Sequence, residues 1–168
     1  EGVERTVRTL RTLWRAPQGP GERAAGYKGW FYHFLEMDTA LRFRKVELSS
    51  IDTALLLGGV LYAKEFFDAE NEIEREIRSL AQRLYDRVDW TWMLNGEDTL
   101  TMGWHPETGF IKARWKGYNE ASILYVLGLG AEGESQLEPK HWNAWTRTYS
   151  WSTNYGFSFV EFPPLFGH

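Results

Sequence analysis

A chain of 168 residues is long enough for one domain with a substantial core, and 43% apolar with 25% charged residues is ordinary for a globular fold. A net charge of −4 with no long basic run argues against nucleic acid as a partner. With no cysteine there is no disulfide, thiolate metal site or cysteine nucleophile, and no apolar run reaches the ~20 residues that span a bilayer.

Residues 3–15, "VERTVRTLRTLWR", put Val3, Val7, Leu10 and Trp14 on one face of a helix. No signal-peptide pattern precedes them. The chain opens as if inside a helix, which predicts a piece of a longer protein. "APQGPGERAAGYKG" then breaks the helix with Pro and Gly. In "WFYHFLEMDTALRFRKVELS" aromatics alternate, giving a short strand, a turn and a second extended stretch. The face bearing Trp30, Tyr32 and Phe34 is the better candidate for a cleft wall.

"SSIDTALLLGGVLYAKEFF" is a helix capped by Ser49 or Ser50 and apolar nearly all round, which predicts deep burial. Gly58 and Gly59 cost about 1 kcal/mol each relative to Ala, a cost usually offset by close helix packing. "AENEIEREIRSLAQRLYDRVD" is amphipathic through Ile73, Ile77, Leu80, Leu84 and Val88, so the two helices form an antiparallel hairpin. "NGED" and "HPETG" mark turns around "TLTMGW" and "FIKARW", a small β-hairpin inserted between helices. "NEASILYVLGLG" and "EPKHWNAWTRTY", with Pro139 in its first turn, are two more helices. "NYGFSFVEFPPLFGH" closes as a short strand and a Pro-Pro loop. The architecture is all-α with β decoration.

Aromatic residues make up 16% of the chain, with nine Trp, eight Tyr and ten Phe. Rings fill cores, but they also stack on the apolar faces of sugars, whose hydroxyls are met by carboxylates, amides and Arg. The four His lack metal-ligand spacing, and no phosphate loop or G-x-S-x-G elbow is present, so no metal and no cofactor is expected. Carboxylates remain. Asp52 and Glu120 each fall in the first turn of an apolar helix, where an acid also complements the helix dipole. Glu120 is surrounded by Arg114, Trp115, Tyr118 and Asn119, and Trp104 of the hairpin is expected at the same end. A carboxyl group walled by rings is partly desolvated, which favours its protonated form, as a general acid in glycoside cleavage requires. Glu47 is a further substrate-side candidate, or a capping partner, or an ion pair of Arg44 or Lys45.

"GYKGWFYHFLEMDT", "VELSSIDTALLLGGVLYAKEFF", "VDWTWML", "LTMGWHPETGF", "ARWKGYNEASILYVLGLG" and "FPPLF" together resemble the bacterial glucoamylase-like domain of the endo-β-1,2-glucanase type (glycoside hydrolase family 144-like), which is related to domains beside cyclic β-1,2-glucan synthases. The resemblance covers almost the whole chain in the family's order. It implies an (α/α)6 toroid, of which residues 1–168 hold about half, truncated at both ends. It implies inverting hydrolysis of β-1,2-glucan without metal. The acidic position of the G-Y-N-E-A block falls on Glu120 and that of S-x-I-D-T-A on Asp52, as catalytic residues. Trp30, Tyr32, Trp104, Arg114, Trp115, Tyr118 and Asn119 fall on the aromatic and polar positions of the blocks. The partner so implied is a β-glucan oligosaccharide or polysaccharide, and the location the periplasm or cell envelope. Self-association through faces exposed by truncation is a further expectation. The alternative is a non-catalytic carbohydrate-binding or scaffold module of a larger cell-envelope protein.

Overall fold

In the computed structural model, which describes residues 1–21 and 23–161, five α-helices carry the described fold: α1 (Gly2–Arg15), α2 (Ser50–Phe66), α3 (Glu72–Asp86), α4 (Ala121–Gly130) and α5 (Pro139–Thr146). Each falls within a stretch that the sequence marks as helical, by periodicity in α1 and α3 and by an apolar run in α2 and α4. Helix α3 packs against both α1 and α2, α4 against α2, and α5 against α4. Among the described residues no helix is long and apolar enough to cross a membrane.

Two kinds of signal set the helix boundaries. Ser49 is extended and its hydroxyl accepts the Asp52 N–H at 3.2 Å, which fixes the start of α2. Asn71 does the same for α3 through the Glu74 N–H at 2.9 Å, while Glu74 reaches back to the Ala69 N–H at 2.9 Å. Helices α1 and α3 are amphipathic and bury Val7 and Leu10, and Ile77, Leu80 and Leu84. Helix α2 is apolar nearly all round but is not enclosed all round: Leu55, Tyr62 and Phe66 are exposed.

The β structure is larger than a single inserted hairpin. Strands β1 (Gly26–Tyr27) and β2 (Trp30–Phe31) pair antiparallel. Strand β3 (Leu48–Ser49) adds to the expected hairpin of β4 (Gly103–His105) and β5 (Gly109–Phe110), in the order β3-β4-β5. A bridge between Tyr32 and Leu48 runs the segment after β2 alongside β3. Gly103 is required here, because a Cβ would lie 2.4 Å from the Leu48 carbonyl oxygen. A third sheet, β6 (Trp151–Asn154) with β7 (Phe157–Val160), stands in place of the one closing strand expected. Two-residue strands between helices carry too little alternation to be read from sequence. The "FPPLF" block lies outside the described residues.

Some of the largest rings form the centre of the core. Trp30, Trp90, Trp145 and Tyr125 are fully buried. Trp30 meets Trp90 edge-on at 5.1 Å, and Tyr125 stacks on Trp145 at 4.8 Å. Two of the four satisfy their polar atoms: the Trp30 indole donates to the Asp89 carbonyl at 2.9 Å, and the Tyr125 hydroxyl accepts the Leu100 N–H at 3.0 Å. Burial pushes the Tyr125 hydroxyl up to about 12.

Candidate active site

Helices α2 and α4 pack together and are fastened at their starts. The Trp115 indole donates to the Ser50 hydroxyl at 2.9 Å. That hydroxyl donates in turn to the Thr101 and Met102 carbonyls at 2.9 and 3.0 Å. The first residue of α2, strand β4 and the segment leading into α4 are thereby joined. Asp52 is the third residue of α2, and Glu120 stands immediately before α4.

Asp52 sits in a network that spacing alone does not show. Its Oδ2 accepts the Ser49 hydroxyl at 2.5 Å and lies 3.4 Å from Nε2 of His33. The other ring nitrogen of His33, Nδ1, lies 2.7 Å from Glu47 Oε1. The pairing follows from strand register. Tyr32 bridges Leu48, so His33 stands opposite Glu47, and the His33 N–H donates to the Glu47 carbonyl at 2.9 Å. Helix α2 is locked to the same strand by Thr53, whose hydroxyl accepts the Phe31 N–H at 3.0 Å and donates to the Ser49 carbonyl at 2.8 Å. The side chains of His33, Glu47 and Asp52 are 34%, 29% and 40% exposed, so all three remain open to solvent. Burial pushes the Glu47 carboxyl up, but its own backbone N–H, the hydrogen bond to the His33 imidazole and the nearby rings of His33 and His105 outweigh it. The carboxyl is held below the usual glutamate range. Glu47 is thus bonded to His33, not to Arg44 or Lys45.

Glu120 is placed differently from a cap. Its backbone is already helical, with φ −58° and ψ −19°, and its carboxyl makes no capping bond. Asn119 does that work: Oδ1 accepts the Ala121 N–H at 3.0 Å, and Nδ2 donates to the Lys116 carbonyl at 2.8 Å. Among the described residues the Glu120 carboxyl has no hydrogen bond or ion pair. Tyr118 is exposed beside it and meets Tyr149 edge-on at 5.6 Å.

Five residues expected to contact substrate are engaged within the protein. Trp30, Tyr32 and Trp115 are buried, so their ring faces do not line an open wall. Trp115 acts through the bond to Ser50 just described. Arg114 is folded back on the 94–99 loop. Its Nη2 donates to the carbonyls of Leu94, at 2.5 Å, and Thr99, and its Nε to the Thr99 hydroxyl at 3.1 Å. Trp104 is half-buried in a ring cluster with Tyr27, Trp92 and Phe110. By register it shares a sheet face with Leu48 and Phe110, while Glu47 and His105 alternate to the opposite face. The residue that the spacing misses is His33. Its signal was faint: one imidazole in an otherwise apolar alternating run.

A mostly helical domain with small sheets between its helices carries these carboxylates. Residues 112–168 match the family model described as "Putative glucoamylase", and the resemblance read from the sequence blocks holds. The exo beta-1,2-glucooligosaccharide sophorohydrolase (non-reducing end) of Parabacteroides distasonis is 24% identical over 163 residues, covering 92% of this chain and 22% of that protein. Among solved structures, the endo-beta-1,2-glucanase of Chitinophaga pinensis superposes with a TM-score of 0.78 at 20% identity, over 95% of this chain and 38% of that one. A "putative glucoamylase" of Bacteroides caccae gives 0.79 at 21% identity, over 98% of this chain and 40% of that one. The chain therefore has the fold of these proteins over well under half of their length.

Proposed function

We propose that this chain contributes to a glycoside hydrolase domain of the (α/α)6 toroid type that cleaves β-glucan, most specifically β-1,2-glucan in endo fashion with inversion. The observation that carries the reading is the Glu120 carboxyl. It stands at the head of a rigid apolar helix, half-buried and relieved of capping by Asn119. A carboxyl with no structural task, next to an exposed Tyr, is free to meet a substrate. Similarity to β-1,2-glucan hydrolases supports the substrate class.

In this reading Glu120 gives its proton to the leaving glycosidic oxygen. Asp52, held by Ser49 and facing His33, draws a proton from the attacking water on the other side of the sugar. Inversion needs roughly 6.5–9.5 Å between the two carboxyls so that the water fits. A glucan of this class places the protein in the periplasm or cell envelope.

The test is the full-length protein assayed on β-1,2-glucan, with product configuration followed by NMR. Glu120→Gln and Asp52→Asn should each lower kcat by about 10²–10⁴-fold, the usual contribution of a positioned acid or base, with glucan binding retained. Normal turnover in Glu120→Gln would overturn the assignment. Binding without any release of reducing ends by the unaltered protein would favour a carbohydrate-binding module instead.

A further inference from the structure

We propose that His33 is a positioning residue for Asp52: its imidazole, oriented by Glu47 at Nδ1, presents Nε2 to the Asp52 carboxyl and takes up the proton that Asp52 draws from the attacking water. The proposal rests on Asp52 acting as the base of the reaction above.

The geometry is fixed from three sides. Cross-strand register sets His33 against Glu47, and the His33 N–H bonds the Glu47 carbonyl. Thr53 ties α2 to the Phe31 N–H, which sets the height of Asp52 relative to the strand. The ring itself stacks on Phe34, with centroids 4.2 Å apart and planes 12° apart, which restricts its rotation.

The chemistry follows from proton counting. A neutral imidazole carries one N–H and cannot donate to two carboxylates at once. The shorter contact, 2.7 Å to Glu47, puts that hydrogen on Nδ1. The Nε2 lone pair then faces Asp52 Oδ2 at 3.4 Å. This is a contact that shortens once a proton lies between the two atoms, as catalytic hydrogen bonds do when the reacting complex forms. As the water oxygen bonds to the anomeric carbon, its O–H breaks and the proton passes through Asp52 to Nε2. The imidazolium so formed lies between the Glu47 and Asp52 carboxylates, which stabilise it. The Glu120 proton leaves on the glycosidic oxygen. Loss of the Nε2 proton to solvent and uptake of one by Glu120 restore the site, with one water consumed per bond cleaved.

Two measurements test this. In the full-length enzyme, His33→Gln keeps a donor toward Asp52 but removes the base, so kcat should fall by about 10–100-fold, the range for groups that act through a catalytic partner, with KM nearly unchanged. In ¹⁵N-labelled protein at alkaline pH, His33 should carry its proton on Nδ1, and Glu47→Ala should shift it to Nε2, the form an unconstrained imidazole prefers. The nitrogen spectrum needs no turnover and decides the matter even if His33→Gln fails to fold. An Nε2–H tautomer in the unaltered protein, or an unchanged kcat in His33→Gln while Asp52→Asn is inactive, overturns the role of His33 alone. Full activity in Asp52→Asn overturns the reading beneath it.

Discussion

Arg42 hides its side chain completely, yet every nitrogen of its guanidinium has a partner. Nη1 and Nη2 bond the Glu107 carboxylate at 2.6 and 3.2 Å, Nε donates to the Val46 carbonyl at 2.8 Å, and the planar head lies 4.6 Å from the Tyr32 ring centroid. A charge so placed is tolerable only while it is paired. The bond from Arg42 holds the Glu107 carboxyl down at about 2, with its own backbone N–H and the charges of Arg42 and His105 helping and desolvation opposing. A carboxyl depressed in the folded state adds stability above its ordinary value of about 4.5, and that stability is lost as pH falls toward 2. Glu107→Gln should therefore lower Tm at neutral pH, with the gap to the unaltered protein closing between about pH 4.5 and 2. A gap independent of pH in a series of thermal melts would refute the assignment. Residues differ sharply in how legible they are. Asp52 and Glu120 are readable as acids at helix starts because helix boundaries depend on a few neighbouring residues. Glu47 and His33 become partners only through strand register across a sequence separation of 14, which neither periodicity nor spacing encodes. Trp30, Tyr32 and Trp115 look like a stacking wall in sequence because a ring is equally suited to core and cleft.

At the scale of elements, α1 and α3 are legible because periodicity accumulates over ten or more residues, α2 and α4 as long apolar runs, and α5 from Pro139 in its first turn. Strand β3 is not legible, since its pairing partner β4 lies about 55 residues further along the chain. The helical glycines separate the two cases that sequence treats alike. A Cβ on Gly58 would come 3.1 Å from Ile123, so this position does let α4 approach α2. Gly59, its neighbour, has nothing within 4 Å, and its helix cost is not offset by close packing in this chain. Gly128 in α4 is tighter than either: a Cβ would lie 2.5 Å from Leu137 Cδ1 and 3.1 Å from Trp90. Gly59→Ala should stabilise the chain by about 0.5–1 kcal/mol through helix propensity and the unfolded state. Gly128→Ala, chemically the same change, should destabilise it by about 1–3 kcal/mol through overpacking. Denaturant melts of the two variants give the signs directly, and equal signs would contradict the packing described.

At the scale of the molecule, the helical class is readable from summed local pattern, but closure into a toroid enters only through family resemblance, because no local pattern records which distant helix a face will meet. Part of the surface is strongly apolar. Leu55, Gly59, Tyr62 and Phe66 are spaced four, three and four residues apart along α2, one stripe on one face, and the rings of Tyr62 and Phe66 stack at 6.0 Å. Between this helix and α1 lies a groove of about 400 Å³, whose apolar lining includes Leu10, Leu13, Leu55, Leu56 and Val60. Val126 of α4 and the Trp151, Phe157 and Phe159 side chains of the β6–β7 hairpin are exposed as well. A two-stranded hairpin without a covered face is marginal by itself. Apolar surface on this scale marks contact sites rather than a finished exterior, and a net charge of −4 supplies little repulsion to keep copies apart. The 168-residue chain should therefore self-associate in a concentration-dependent way, and sedimentation velocity over a dilution series should show it. Tyr62→Lys with Phe66→Lys removes apolar surface from the stripe without touching the core, so it should shift the chain toward monomer while leaving Tm nearly unchanged. A chain that is monomeric throughout the series, or association indifferent to both changes, would show that this stripe is not a contact surface.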